Sequence, residues 1–361
     1  MKKIKRVFGL LVAIGVIACG VLFFVPRSRH VLVGFLKQEQ FDSGMPVNHW
    51  IAELNDPNAD TRREAAREIS RFGPEAAATV PTLTKILKED DEMLVRITAA
   101  HALSRIGPAA KPAVPALIDA LRGPNLMLRL RAAVALTNLG PDAAEAVPAL
   151  IDAVKDEDNR ISPLLMSINV RGQAAAALGR IGPAAKAATP ALIQALKADD
   201  PDSPQAAACA LGRLGAKEAI PALVEALGSD STMLKLQAAM ALANFGPDAK
   251  AAVPALIKVL NEKKTQEDQF QHIVATTLGK IGPDAKAAVP DLIRVLQGKE
   301  YSIMAAVAEA LGNIGPGAKA AIPELIKKLN DEDVYLQRNA AQSLKKIDPE
   351  AATKAGVPLS S

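Results

Sequence analysis

The sequence predicts an all-α protein: an α-solenoid, a superhelix of about eight to nine helix pairs, preceded by one transmembrane helix. Three observations lead there. A Gly-Pro marker recurs at Gly73, Gly107, Gly140, Gly182, Gly246, Gly282 and Gly315, with Gly215-Ala216 and Asp348-Pro349 as variants, at intervals of 34, 33, 42, 33, 31, 36, 33 and 33 residues. A fixed period of this length is the signature of a stacked repeat. Aliphatic residues before and after each marker recur at helical spacing, and aromatic residues make up 3% of the chain, too few for a large β core. Near the amino terminus, Val7–Val25 runs for nineteen residues without a charge or a polar side chain.

The elements follow in chain order. Residues 1–26 carry a basic tip, "MKKIKR", and the apolar run, which Pro26 ends. At a rise of ~1.5 Å per residue the run is about 28 Å long as a helix, close to the thickness of a bilayer's hydrocarbon core. Basic residues flank it, four before and two soon after, so the positive-inside rule places the tip in the cytoplasm and the body on the extracytoplasmic side. Two other uses of the same segment are considered. Val16-Ile17-Ala18-Cys19 is similar to a lipobox, which would make the chain a lipoprotein anchored at Cys19, although Gly20–Val25 stays apolar where such proteins turn polar. A cleaved signal peptide needs a shorter core and a small-residue cut site. Residues 27–46 read as a juxtamembrane linker, 47–350 as the repeat array and 351–361 as an irregular tail.

Within the array, positions −8, −7, −4 and −1 from each marker form one stripe of an amphipathic helix. Position −4 is aliphatic throughout, from Ile69 to Leu344, and position −7 is always Ala, from Ala66 to Ala341. A constant Ala implies a neighbouring helix too close for anything larger. The marker Gly is expected to end this first helix in the left-handed conformation, with Asp348 as a substitute. A second Pro, eight residues after most markers (Pro81, Pro115, Pro148, Pro190, Pro254, Pro290, Pro323, and Pro221 two residues early), opens the second helix. That helix ends at an acidic turn such as "KEDD" or "NDED". "NHWIAELND" (48–56) reads as the second helix of a starting half-repeat, and "DEDNRISPLLMSINV" (156–170) as an insertion that accounts for the 42-residue interval.

The phrase carried by these columns, an Arg eleven residues before the marker, then "AA.ALG.IGP", then "AVPALI.AL" and an acid, resembles HEAT repeats, and specifically the short HEAT-like type named for the phycobilisome lyases. It extends from about Asn48 to the end of the chain. The resemblance implies a solenoid that serves as a scaffold or adaptor, and as an alternative a lyase-like or other protein-modification accessory role in which the array cradles its client; it does not by itself fix a function. Arg62, Arg96, Arg129 and Arg171 match the family's Arg, which pairs with acids of the turns such as Asp56 and Asp90. Pro204, Lys235, Gln271, Met304 and Gln337 replace it later, so the ladder is expected to weaken toward the C-terminal half.

Chemistry is sparse. Four histidines and two cysteines form no metal-ligand spacing, and no zinc-protease, P-loop, nucleophile-elbow or dinucleotide fingerprint occurs. There is no His-Glu dipeptide of the kind HEAT-type di-iron hydroxylases use. His101 and Cys209 share the −6 column three repeats apart, too far for a dyad. No catalytic residue, cofactor or metal is therefore assigned. Six of the 43 basic residues lie in the first 30 positions, which hold no acid, leaving 37 against 39 acidic residues in the body. That balance argues against nucleic acid as a partner. The expected ligand is a protein, read by the columns that vary on the second helix, which in such solenoids lines the concave face. Four residues after the second Pro stand Lys85, Asp119, Asp152, Gln194, Glu225, Lys258, Arg294 and Lys327, acidic in the middle and basic toward the C-terminal end.

Overall fold

A computed structural model describes residues 41–42, 45–156, 169–262, 268–298 and 301–358. The apolar run Val7–Val25 and most of the insertion lie outside the described residues; within them no helix is long and apolar enough to cross a membrane. The chain divides into two compact units, the first ending at Ala149 and the second beginning at Leu150. Where a linker is expected, strands β1 (Phe41–Asp42) and β2 (Met45–Pro46) pair antiparallel.

Helices follow in the order the markers predict. The first unit holds α1 (Val47–Glu53), α2 (Ala59–Phe72), α3 (Val80–Glu89), α4 (Met93–Ile106), α5 (Val114–Arg122) and α6 (Leu126–Leu139). Helix α7 (Val147–Lys155) carries the chain into the second unit. There stand α8 (Val170–Ile181), α9 (Thr189–Ala195), α10 (Asp202–Leu214), α11 (Ile220–Ala226), α12 (Thr232–Phe245) and α13 (Val253–Leu260). They are followed by α14 (Asp268–Ile281), α15 (Val289–Leu296), α16 (Tyr301–Ile314), α17 (Ile322–Lys327), α18 (Val334–Ile347) and α19 (Pro349–Lys354). Even numbers are first helices and odd numbers second helices. In each unit first helices stack on first helices, while a second helix leans mainly on the first helix of the next repeat. Helix α1 packs on α2 as a second helix would, which makes it the half-repeat the sequence indicates.

Burial explains the invariant columns. Every residue at −8 and −4, from Ala65 and Ile69 to Ala340 and Leu344, is fully buried, and the alanines at −7 are buried in every first helix except the last, where Ala341 is half-buried. At −3 the chain places Gly179, Gly212, Gly279 and Gly312. A Cβ on Gly212 would stand 2.7 Å from the Cα of Ala241 on the next first helix, and one on Gly179 would stand 2.8 Å from the Cα of Ala210. Backbones meet directly there, and only Gly allows it.

The marker turn departs from the expected cap. Gly107 has φ 73° and ψ −139°, and Gly182 φ 78° and ψ −144°, so φ is positive as expected but ψ is far from the left-handed helix. These values lie near the first central position of a type II′ turn, with Pro in the second. The cause is the proline, whose ring bars the preceding residue from helical ψ. Gly215, followed by Ala216, is the control: it takes the left-handed conformation at φ 64°, ψ 32°. Asp348 is no substitute Gly; it is extended (φ −157°) and its carboxylate caps α19 by accepting from the Ala351 N–H. Helix α19, with Val357 buried after it, also occupies part of the stretch expected to be irregular.

From most markers to the second helix the chain runs in 3₁₀ turns over seven residues, as in Gly73–Thr79 and Gly182–Ala188, broken by non-helical dihedrals at Ala76 and Ala185; after Gly215 only Lys217–Ala219 is 3₁₀. Residues three apart eclipse in a 3₁₀ helix. That puts Ala76 and Thr79, or Ala185 and Ala188, on one buried side. The second Pro then sits in the first turn of the α-helix, where its missing N–H costs nothing.

Candidate functional site

The eight residues singled out on the second helices are all exposed: Lys85, Asp119, Asp152, Gln194, Glu225, Lys258, Arg294 and Lys327. Each lies one turn beyond the exposed proline of its helix, because helical spacing repeats a face every three to four residues. They therefore share one row of surface within each unit.

Several are already engaged. The residue seven after the second Pro reaches the next repeat: Lys197 Nζ lies 2.9 Å from Glu225 Oε1, and Asn261 donates to Asp291 Oδ1 at 2.9 Å. Arg294 donates to Asn261 and, at 2.6 Å, to Asp291. Lys327 pairs with Glu324 Oε2 at 3.0 Å. The basic C-terminal end of the column is thus partly offset by Asp291 and Glu324, acids that the column alone does not reveal. The Lys197–Glu225 pair, exposed on both sides, is screened by water and parts readily for a ligand, whereas Glu324 is buried.

A second ladder runs along the marker turns, where Lys111 reaches Asp142 at 2.9 Å and Lys217 reaches Asp248 at 2.7 Å. It explains the Lys in "GPAAK" and the Asp in "GPDA" as partners across repeats.

The Arg column forms a third ladder and extends further than expected. Arg62 grips both carboxylate oxygens of Asp90, at 2.7 and 2.9 Å, while its Nη1 donates to the carbonyls of Asp56 and Pro57. Burial works to raise the pKa of Asp90, but the hydrogen bonds from Arg62 and the Glu92 N–H outweigh it and hold the carboxyl below its ordinary value. Arg96 donates to the Leu87 carbonyl at 2.9 Å. Lys235 takes the role in α12, 2.6 Å from Glu262, and Gln337 donates to the Asp331 carbonyl. The ladder continues into the C-terminal half because a lysine or an amide also serves a turn of carbonyls and acids.

His101 and Cys209 lie in separate units. Burial first, then the charges of Arg131 and Arg105, push the His101 pKa down. Cys209 is a free, half-buried thiol. Among the described residues no group of three or more His, Cys, Asp or Glu side chains is placed to hold a metal ion.

Between the ends of second helices α7 and α9 lies a groove of about 260 Å³, lined by Lys155, Arg171, Gln194 and Lys197. Gln194 is the one member of the variable column that it contains.

This is a tandem array of helix pairs joined by Gly-Pro turns. The profile of HEAT repeats matches residues 47–124, 163–243, 189–272, 223–312 and 253–344, together more than half of the chain, and the protein belongs to the HEAT-repeat family. No curated protein matches. Among solved structures, an engineered protein is similar at 24% identity and a TM-score of 0.62, over 86% of this chain and 92% of its own. The complex of CpcE and CpcF of phycocyanin lyase from Nostoc sp. PCC7120 matches at 25% identity and a TM-score of 0.45, over 70% of this chain and 97% of its own.

Proposed function

We propose that this chain is a membrane-anchored HEAT-repeat scaffold or adaptor that binds a protein partner through the second-helix row, with the array on the extracytoplasmic side. The observation that carries the reading is the contrast between columns. The frame positions at −8, −7 and −4 are buried and nearly constant, whereas the exposed second-helix position changes from Lys to Asp, Gln, Glu and back to Lys and Arg. A surface free of packing constraint that varies in charge while its scaffold stays fixed suits recognition of an extended, non-uniform partner. The anchor rests on Val7–Val25 and its basic flanks.

Reversing Lys258, Arg294 and Lys327 to Glu together tests the binding face. These side chains are exposed, so the fold is kept, and the partner recovered with the full chain from its native membrane is lost. Recovery equal to the unaltered chain would reject the second-helix row as the site. Protease added to intact cells should remove the array if it lies outside.

A further inference from the structure

We propose that the groove holding Gln194 is an oxyanion pocket, seating a carboxylate or phosphate group of the protein partner between Arg171, Lys155 and Lys197. The proposal rests on the reading above that the second-helix row binds a protein, and it names the chemistry read at this repeat.

Two members of the Arg column differ in what their forks hold. Arg62 and Arg171 stand at the same place, eleven residues before their markers. The fork of Arg62 is filled by the two oxygens of Asp90, and its remaining nitrogen by two carbonyls. Arg171 keeps the carbonyl contact, donating to Asp156 O at 3.0 Å, but among the described residues no carboxylate sits in its fork. The acid of its own turn, Asp200, comes no closer than 3.9 Å, and the Arg171 Nε has no hydrogen-bond partner among the described residues.

Asp200 is held elsewhere. Its Oδ1 accepts from Asn169 Nδ2 at 2.6 Å and from the Ser203 N–H at 2.7 Å. Asn169 in turn caps α8 by accepting from the Gly172 N–H, so the diversion is built into the start of that helix. The result is a guanidinium without the bidentate partner its planar fork matches best.

The surroundings add charge of the same sign. Lys155 has no carboxylate partner among the described residues, and Lys197 is tied only to Glu225 in a pair whose members are both two-thirds exposed. Asp199 is the one acid among the described residues that line the groove, with Asp200 and Glu225 standing beside Arg171 and Lys197. The Arg171 side chain is 15% exposed, which limits the screening of its charge. Gln194 offers a carboxamide donor at the same wall. Later repeats of this unit have Pro204, Lys235, Gln271 and Met304 in the Arg column, and Gly228, Asn261, Gln297 and Asn330 in the Lys column, so none of them repeats the combination.

The test uses the full chain in a non-ionic detergent with a fluorescent hexaglutamate peptide, a phosphoserine peptide of the same length, and inorganic phosphate as competitor. Two variants change only exposed side chains: Gln194→Glu, which fills the pocket with its own carboxylate, and Lys155→Ala with Lys197→Ala. Arg171→Lys keeps the charge and removes the fork. At least one peptide is expected to bind, with phosphate competing, and its affinity to fall about tenfold in each variant, the scale of one charge-assisted contact. Preference for the phosphoserine or the glutamate peptide identifies the source of the oxyanion. Binding of neither peptide, or binding unchanged in Gln194→Glu, overturns the proposal. Reversal of Lys258, Arg294 and Lys327 should leave the Gln194→Glu effect in place. Partner capture retained by that triple variant, with peptide binding intact, would count against the second-helix row, and capture lost in it with no peptide bound by the unaltered chain would count against the pocket alone.

Discussion

Proline decides what its neighbouring glycine does in this chain, and the effect can be measured at single residues. Asn visits the left-handed region but not the II′ region at ψ near −139° that Gly107 occupies. Gly215→Asn should therefore leave the urea midpoint close to that of the parent, whereas Gly107→Asn should cost about 1–3 kcal/mol, the usual penalty for a forbidden backbone well. A second prediction concerns Asp90. Its carboxyl titrates below the ordinary 3.8 in the folded chain, so the stability it contributes is complete above that value and is lost as pH falls through the folded pKa. Asp90→Asn should lower stability at pH 7 by about 2 kcal/mol, the scale of a charged hydrogen bond. It should also flatten this part of the acid dependence in denaturation curves taken between pH 5 and pH 2. The Gly and the Asp are both plain in the sequence. The dihedral that Pro imposes and the oxygen each donor chooses are not, because they depend on the residue next door and on a turn some thirty residues away.

At the scale of the helix, the sequence shows the stripe and hides the closest contact. Positions −8, −7, −4 and −1 are legible because every repeat imposes the same local demand, and repetition separates that demand from chance. The glycines at −3 appear in only some repeats and look like weak helix formers until the next helix is in place. Gly212→Ala puts a Cβ against the Ala241 backbone, which cannot rotate away, so it should cost about 1–3 kcal/mol despite the better helix propensity of Ala. Thermal melts of this variant check it, and unchanged stability would mean that the first helices have room to separate. The 3₁₀ segments were legible only as turns. Their alanines at three and six residues past the marker carry the 3₁₀ period, a signal present in "GPAAKAA" but masked by the abundance of Ala. The Arg ladder weakens where Pro204 and Met304 occupy the column, while Lys235 and Gln337 meet the same turn by other donors.

For the whole molecule, the repeat frame carries stability, and the variable row is the surface proposed for recognition. Frame columns satisfy packing, caps and three ladders, which leaves the second-helix row as the surface whose residues packing does not dictate. The row was legible in the sequence as eight numbered positions. What was not legible is that Glu225, Arg294 and Lys327 are bridged to neighbours, and that Arg171 lacks the carboxylate its counterpart Arg62 holds. Those facts follow from three-dimensional pairings between repeats rather than from any column. The measurement that bears most directly on this division is photocrosslinking of the full chain in its native cells. A photoreactive residue is placed at Gln194 or Lys258 on the second-helix row, and at Arg213 or Lys280 at the exposed ends of first helices. One partner adduct is expected from the second-helix positions and none from the first-helix positions. Adducts of equal yield from both rows, or from the first-helix positions alone, would contradict it.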